Sequence, residues 1–283
     1  MKITITYILF IFSLASCAQT RPLIPSQPAG IPDSLVASLV LERFVPGNFS
    51  FMDVDVLDNA FVLTETSQLR KLNSNGDSVA AFNDVKKYGT PSKFDVSNPL
   101  KILLYYRNFS TIVMLDRLLT FRNSLNLRTA NIFNVKALGI AYDNHTWIFD
   151  EQDFKLKKIN DDGMVLMETT DWRTLFPVVP LPVEILDRDN FVYLYDPAKG
   201  FYVFDRYGSF KNQLPILSLS NISVHKNLVR GFVRNNLMVH DLTTNITKYY
   251  TLPVLLQDYI SIKAGNGKLY ALKKQGLEIY RIQ

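Results

Sequence analysis

The chain has 283 residues, 47% of them hydrophobic and 20% charged, which is ample material for a packed core and excludes disorder as the main state. The net charge of +5 is scattered, with pairs such as Lys86-Lys87 and Lys273-Lys274 as its densest runs, so the basic stripe of a nucleic-acid binder is missing and no nucleic-acid partner is expected. A single cysteine, Cys17, excludes an intramolecular disulfide and a thiolate zinc centre, and His145, His225 and His240 are too few for a metal cluster, so no metal and no cofactor are expected.

Residues 1–16 read as a signal peptide. Lys2 supplies the positive end, and Ile3 to Leu14 an apolar stretch too short to span a bilayer as a helix. The stretch ends Leu14-Ala15-Ser16-Cys17. That run resembles the lipobox of bacterial lipoproteins: a branched apolar residue, two small residues, then cysteine. The resemblance implies cleavage before Cys17 and a diacylated (palmitate-type) thiol. Two acyl chains suffice for stable membrane anchoring. Residues 17–33 then form the lipidated cysteine and a tether, with Pro22, Pro25, Pro28 and Pro32 favouring extended polyproline geometry. Ala18 stands where inner-membrane lipoproteins carry aspartate, and no acidic run succeeds it as in surface lipoproteins of Bacteroidetes-like bacteria. By that resemblance the anchor belongs in the outer membrane, facing the periplasm.

Residues 34–283 form the folded domain. Its first segment, Leu35 to Phe44, is apolar and does not match the repeating unit of residues 45–283. That unit is an apolar strand, an Asx-type turn, an apolar-aromatic strand, a short break, a third strand and a polar turn. The first turn sets the phase at Asp58-Asn59, Asn98-Pro99, Asp143-Asn144, Asp189-Asn190, Lys226-Asn227 and Gly265-Asn266, spaced by 40, 45, 46, 37 and 39 residues. Asn, Asp and Gly suit such turns because they tolerate left-handed backbone. Third strands come at Leu69 to Leu72, Ile112 to Leu115, Leu156 to Ile159, Tyr202 to Phe204, Leu237 to His240 and Leu277 to Ile282. A period near 40 with four short strands per unit is the mark of a propeller blade; a β-sandwich, whose turns also recur, is the competing fold. The sixth unit ends after its third strand, so Leu35 to Phe44 is expected to supply the fourth and close the ring, removing open strand edges. The expected fold is thus all-β: a six-bladed β-propeller closed by an N-terminal strand. This architecture resembles propellers of the NHL or strictosidine-synthase-like type in bacterial exported proteins.

In a propeller the first strand of each blade lines the channel. Those strands carry Asp53, Asp55, Lys93, Asp95 and Glu184, a candidate channel site for a cation or other ligand. Solvated strand ends, each paired with a basic neighbour, are the plainer account. No Gly-x-Ser-x-Gly elbow occurs, and no catalytic residue is assigned. The three histidines fall in different units and read as structural. Trp147, Tyr193, Tyr195, Tyr202, Tyr249 and Tyr250 could floor a sugar groove, but aromatics of this kind more often wedge between blades. Asn-x-Ser/Thr triplets at Asn48, Asn108, Asn144, Asn221 and Asn245 are treated as chance. The expected function is a lipid-anchored, non-catalytic protein-binding scaffold, an accessory subunit of a secretion or outer-membrane assembly complex with protein partners in the cell envelope. The alternative is an exported propeller enzyme, lactonase- or lyase-like, or a carbohydrate or small-ligand binder using the channel. By resemblance to lactonases, Asp55, Asp95 and Glu184 would then be the metal-holding counterparts.

Overall fold

The structure, a computed structural model, describes residues 39–253, 256 and 258–282. Cys17, the signal peptide and the tether lie outside the described residues. Among the described residues, twenty-four strands form six antiparallel four-stranded sheets. Blade 1 is β2 (Phe49–Val54), β3 (Ala60–Thr64), β4 (Leu69–Leu72) and β5 (Ser78–Phe82). Blade 2 is β6 (Lys93–Asn98), β7 (Lys101–Tyr106), β8 (Thr111–Asp116) and β9 (Phe121–Asn126). Blade 3 is β10 (Val135–Ile140), β11 (Thr146–Asp150), β12 (Lys155–Ile159) and β13 (Val165–Glu168). Blade 4 is β14 (Glu184–Arg188), β15 (Phe191–Asp196), β16 (Gly200–Asp205) and β17 (Phe210–Leu214). Blade 5 is β18 (Ser220–His225), β19 (Leu228–Val233), β20 (Asn236–Asp241) and β21 (Ile246–Thr251). Blade 6 is β22 (Ser261–Ala264), β23 (Lys268–Lys273), β24 (Gly276–Ile282) and, from the other end of the chain, β1 (Leu39–Pro46).

The ring closes as expected. β1 pairs antiparallel with β24, Leu39 opposite Ile282 and Pro46 opposite Gly276, with a bulge between Leu41 and Arg43. The closing strand runs two residues beyond Phe44, because backbone pairing persists until Gly47 donates to the Gln275 carbonyl at 3.1 Å.

Burial explains the strand sequences. The second strands of blades 2 and 3 are covered on both faces by their neighbours and are mostly apolar: Ile102 to Tyr106 in β7 and Thr146 to Asp150 in β11 are buried throughout. Outer strands such as β17 are exposed over most of their length and are polar. The turns repeat as well. Asn73, Asp116, Asn160 and Asp205 each open the turn between third and fourth strands by accepting amides two and four residues on, at 2.8 to 3.1 Å. The left-handed position of that turn is Gly76, Gly163 and Gly208 in three blades, where a side chain is penalised. In blade 2 it is Leu119 (φ 59°), whose side chain is buried in the core between blades 1 and 2.

Cores lie between blades. Between blades 3 and 4, the short helix α1 (Trp172–Leu175) inserts Trp172, stacked on Phe204 at 5.1 Å and tilted on Phe149 at 4.6 Å. Trp147, Tyr193, Tyr195 and Tyr202 are buried between blades, and only Tyr249 and Tyr250 stand on the outer strand β21. These buried rings are wedges and do not floor a groove.

Candidate functional site in the central channel

The inner strands enclose a cavity of about 630 Å³, lined by residues of all six blades. Its centre is a charge network. Asp53, next to last in β2, lies 3.0 Å from the Lys263 ammonium on β22 of the adjoining blade. Lys93, first in β6, donates to the Val183 carbonyl oxygen at 2.7 Å, reaching from blade 2 to blade 4. Glu184, first in β14, faces the same space.

Electrostatics follow from this packing. Burial raises the Glu184 carboxyl above the ordinary range, Asp53 and Asp95 add to the rise, and Lys263 and Lys93 oppose it. Burial works against the Lys263 ammonium, but Asp53, Glu184 and Asp95 outweigh it and hold Lys263 above its usual value. Lys93 is pushed down by burial, which Glu184 offsets only in part.

The five sequence candidates therefore divide. Asp53, Lys93 and Glu184 converge in the channel. Asp55 lies just past the end of β2, where its oxygens accept the Leu57 and Asn59 amides and the Asn59 side chain at 2.8 to 2.9 Å. Asp95 accepts the Ser97 amide and, across to blade 3, the Ile140 amide, both at 2.7 Å. Both touch the cavity, and both also hold backbone amides. Of the lactonase-like trio of Asp55, Asp95 and Glu184, two members hold turns and blades, and the ammonium groups of Lys263 and Lys93 act on the third. Among the described residues no group of three or more His, Cys, Asp or Glu is placed to hold a metal ion.

Sequence reasoning missed Lys263, Arg188, Arg230, Asn221 and His225, all of which line the cavity. Lys263 was findable, as a lone charge between apolar residues on the sixth inner strand. His145 sits in the turn before β11. His240 is buried on β20 with Nδ1 2.9 Å from the Thr247 hydroxyl, and burial lowers its basicity. His225 ends β18 and reaches the cavity.

No protein-family model matches the chain, and no curated protein matches its sequence. Solved structures do match. A "Putative exported protein" from Bacteroides fragilis superposes with a TM-score of 0.57 at 12% identity, covering 89% of this chain and 97% of that one. A streptogramin B lyase matches with a TM-score of 0.55 at 16% identity, over 82% of this chain and 78% of that one. A catalytically inactive virginiamycin B lyase from Staphylococcus aureus, solved with quinupristin, matches with a TM-score of 0.56 at 12% identity, over 87% and 89%. At these identities the likeness is one of fold: this chain is an all-β, six-bladed propeller. No helix among the described residues is long and apolar enough to cross a membrane.

Proposed function

We propose that this chain is an exported lipoprotein, held in the outer membrane by a lipid on Cys17 and facing the periplasm, whose propeller is a non-catalytic protein-binding scaffold of a secretion or outer-membrane assembly complex. The observation that carries the scaffold reading is an arc of apolar loop tips. Turns between first and second strands, and between third and fourth strands, lie on one face of the disc because the strands alternate in direction. On that face Val56, Leu57, Leu100, Leu118, Tyr142, Met164 and Tyr207 are exposed, Tyr207 to 87%. They span blades 1 to 4, whereas the corresponding turns of blades 5 and 6 carry Lys226-Asn227 and Gly265-Asn266. An apolar array displayed around one face suits protein contact. The anchor rests on the sole cysteine, placed where the lipobox needs it.

Two measurements test this. Fatty-acid labelling should mark the wild type and leave Cys17→Ala unmarked; equal label ends the anchoring claim. Detergent-extracted protein should elute as part of a larger complex, and the triple variant Leu57→Asp, Leu100→Asp, Tyr207→Asp should elute alone with an unchanged circular dichroism spectrum. A wild type that already elutes alone overturns the scaffold.

A second reading, an enzyme working in the channel, is favoured by one feature. Glu184 is a half-buried carboxyl with raised affinity for its proton, facing a cavity large enough for a substrate, and such groups serve as general acids or bases. Incubation with a streptogramin B antibiotic should leave it intact. Turnover that disappears in Glu184→Gln would put the enzyme reading first.

A further inference from the structure

We infer that the channel, on the side of blades 4 to 6, binds a small molecule carrying a carboxylate or phosphate group, gripped by Arg188 and Arg230. The inference is independent of the scaffold reading and rests on how hydrogen-bond donors are distributed around the cavity. By count, the lining cations Lys93, Lys263, Arg188 and Arg230 balance the carboxylates Asp53, Asp55, Asp95 and Glu184. By contact the guanidiniums of Arg188 and Arg230 and the Glu184 carboxyl are left without a side-chain partner among the described residues. Lys263 has Asp53, Lys93 has the Val183 carbonyl, and Asp55 and Asp95 are engaged by backbone amides. Among the described residues the Arg188 guanidinium donates only to the Asp187 carbonyl, through Nη1 at 2.8 Å. The Arg230 guanidinium has no hydrogen-bond or ion-pair partner among the described residues, although the residue is half-buried.

A guanidinium presents five N–H donors in a planar fork and cannot shed its charge. Holding two of them partly out of water without carboxylate partners is unfavourable unless an outside acceptor completes them. Carboxylate and phosphate match the fork in two-point geometry, and such charge-assisted bonds are about twice as strong as neutral ones. The two arginines belong to adjoining blades. Arg188 ends β14, and Arg230 on β19 pairs with Ser223 of the inner strand β18, on the channel side of blade 5.

The rest of the cavity describes the rest of the ligand. Phe51 and Phe94 meet edge to face at 4.5 Å, and with Leu138 they give the channel an apolar stretch near the opening of β2 and β6. A volume of about 630 Å³ falls within the usual range for small-molecule sites. The ligand class is thus an organic acid or phosphate ester with an apolar body.

The test uses thermal unfolding at constant ionic strength with three probes: inorganic phosphate, phenylacetate, and its neutral analogue phenylacetamide. Phosphate and phenylacetate should raise the midpoint saturably, by about 3 °C near saturation, and phenylacetamide should not. A stronger response to phosphate assigns a phosphate ester, and one to phenylacetate a carboxylate. Arg230→Gln and Arg188→Gln should each weaken apparent affinity at least about tenfold, since a charged bidentate contact is lost. Arg122→Gln, on the exposed outer strand β9, should bind as wild type. Arg230→Met provides a second removal of the fork that keeps the apolar stem. Equal shifts in wild type and in both Arg230 variants, or no shift with either anion, would overturn the proposal.

Discussion

Between blades 3 and 4 the inner strands approach so closely that a Cβ on Gly139 would lie 2.4 Å from the Ile185 carbonyl oxygen. Between blades 5 and 6 the inner strands are linked through side chains, Ser261 to Asn221 at 2.9 Å. The contrast extends outward. At the first junction the buried Asp187 carboxylate accepts the Trp147 indole N–H at 2.9 Å and the Tyr142 amide at 3.1 Å, and pairs with Arg206 at 3.2 Å, whose guanidinium stacks over Tyr142 at 3.6 Å. Trp172 and its aromatic neighbours fill the space behind. The second junction has a smaller core around Phe232, Ile262 and Leu269, and the polar residues on its inner edge line the cavity. One ring thus separates two tasks. The junction of blades 3 and 4 spends its polar groups on each other; the stretch from the end of β14 to blade 5 leaves the donors of Arg188 and Arg230 facing the channel.

Substitutions at the two junctions should therefore differ in cost. The largest effect is expected for Trp172→Ala, which leaves a large cavity at the tighter junction and should cost about 3–5 kcal/mol in denaturant unfolding. A loss below about 1 kcal/mol would show that α1 is peripheral to the core. Asp187→Asn should cost about 2–3 kcal/mol, because the amide cannot serve all three donors and leaves Arg206 without its counter-charge. Its matched partner, Ser261→Ala at the other junction, should cost about 0.5–1 kcal/mol. Equal losses for the pair would abolish the contrast. Gly139→Ala should cost about 1–3 kcal/mol by forcing β10 and β14 apart against backbone that cannot rotate away.

The ring and its closure were legible in the sequence because both depend on local rules. Asx turns need Asn, Asp or Gly at fixed offsets, and Asp58, Asn144 and Asp189 do adopt the positive φ that made them a usable phase marker. Doubly covered strands need continuous apolar runs, as in β7 and β11. The site was less legible, because which way a carboxylate turns depends on its neighbours in space. Asp53 and Asp55 are two residues apart, yet one reaches Lys263 across a blade boundary while the other folds back onto its own turn. Arg230 was invisible for a different reason: it sits on a second strand, opposite Ser223 of the inner strand, yet lines the cavity.

The smallest expected effect lies where the two sides of the ring face each other, at Glu184, and it is one of slope. Its carboxyl is held above the ordinary range chiefly by burial, with Asp53 and Asp95 adding to the rise. In the unfolded chain the same group releases its proton in the ordinary carboxylate range. Between that range and the raised folded value, the folded protein keeps a proton that the unfolded chain has lost, so stability falls as pH rises through this window and is fullest below it. Lys263 is held above its usual value and Lys93 below its own. Glu184→Gln keeps the shape and removes the titration. Urea unfolding between about pH 4 and pH 8 should show the variant gaining on wild type as pH rises, with the curves converging at the acid end. Parallel curves would mean that Glu184 is ionised in the folded channel and fully compensated by Lys263 and Lys93, and the channel would then be as self-satisfied as the junction between blades 3 and 4.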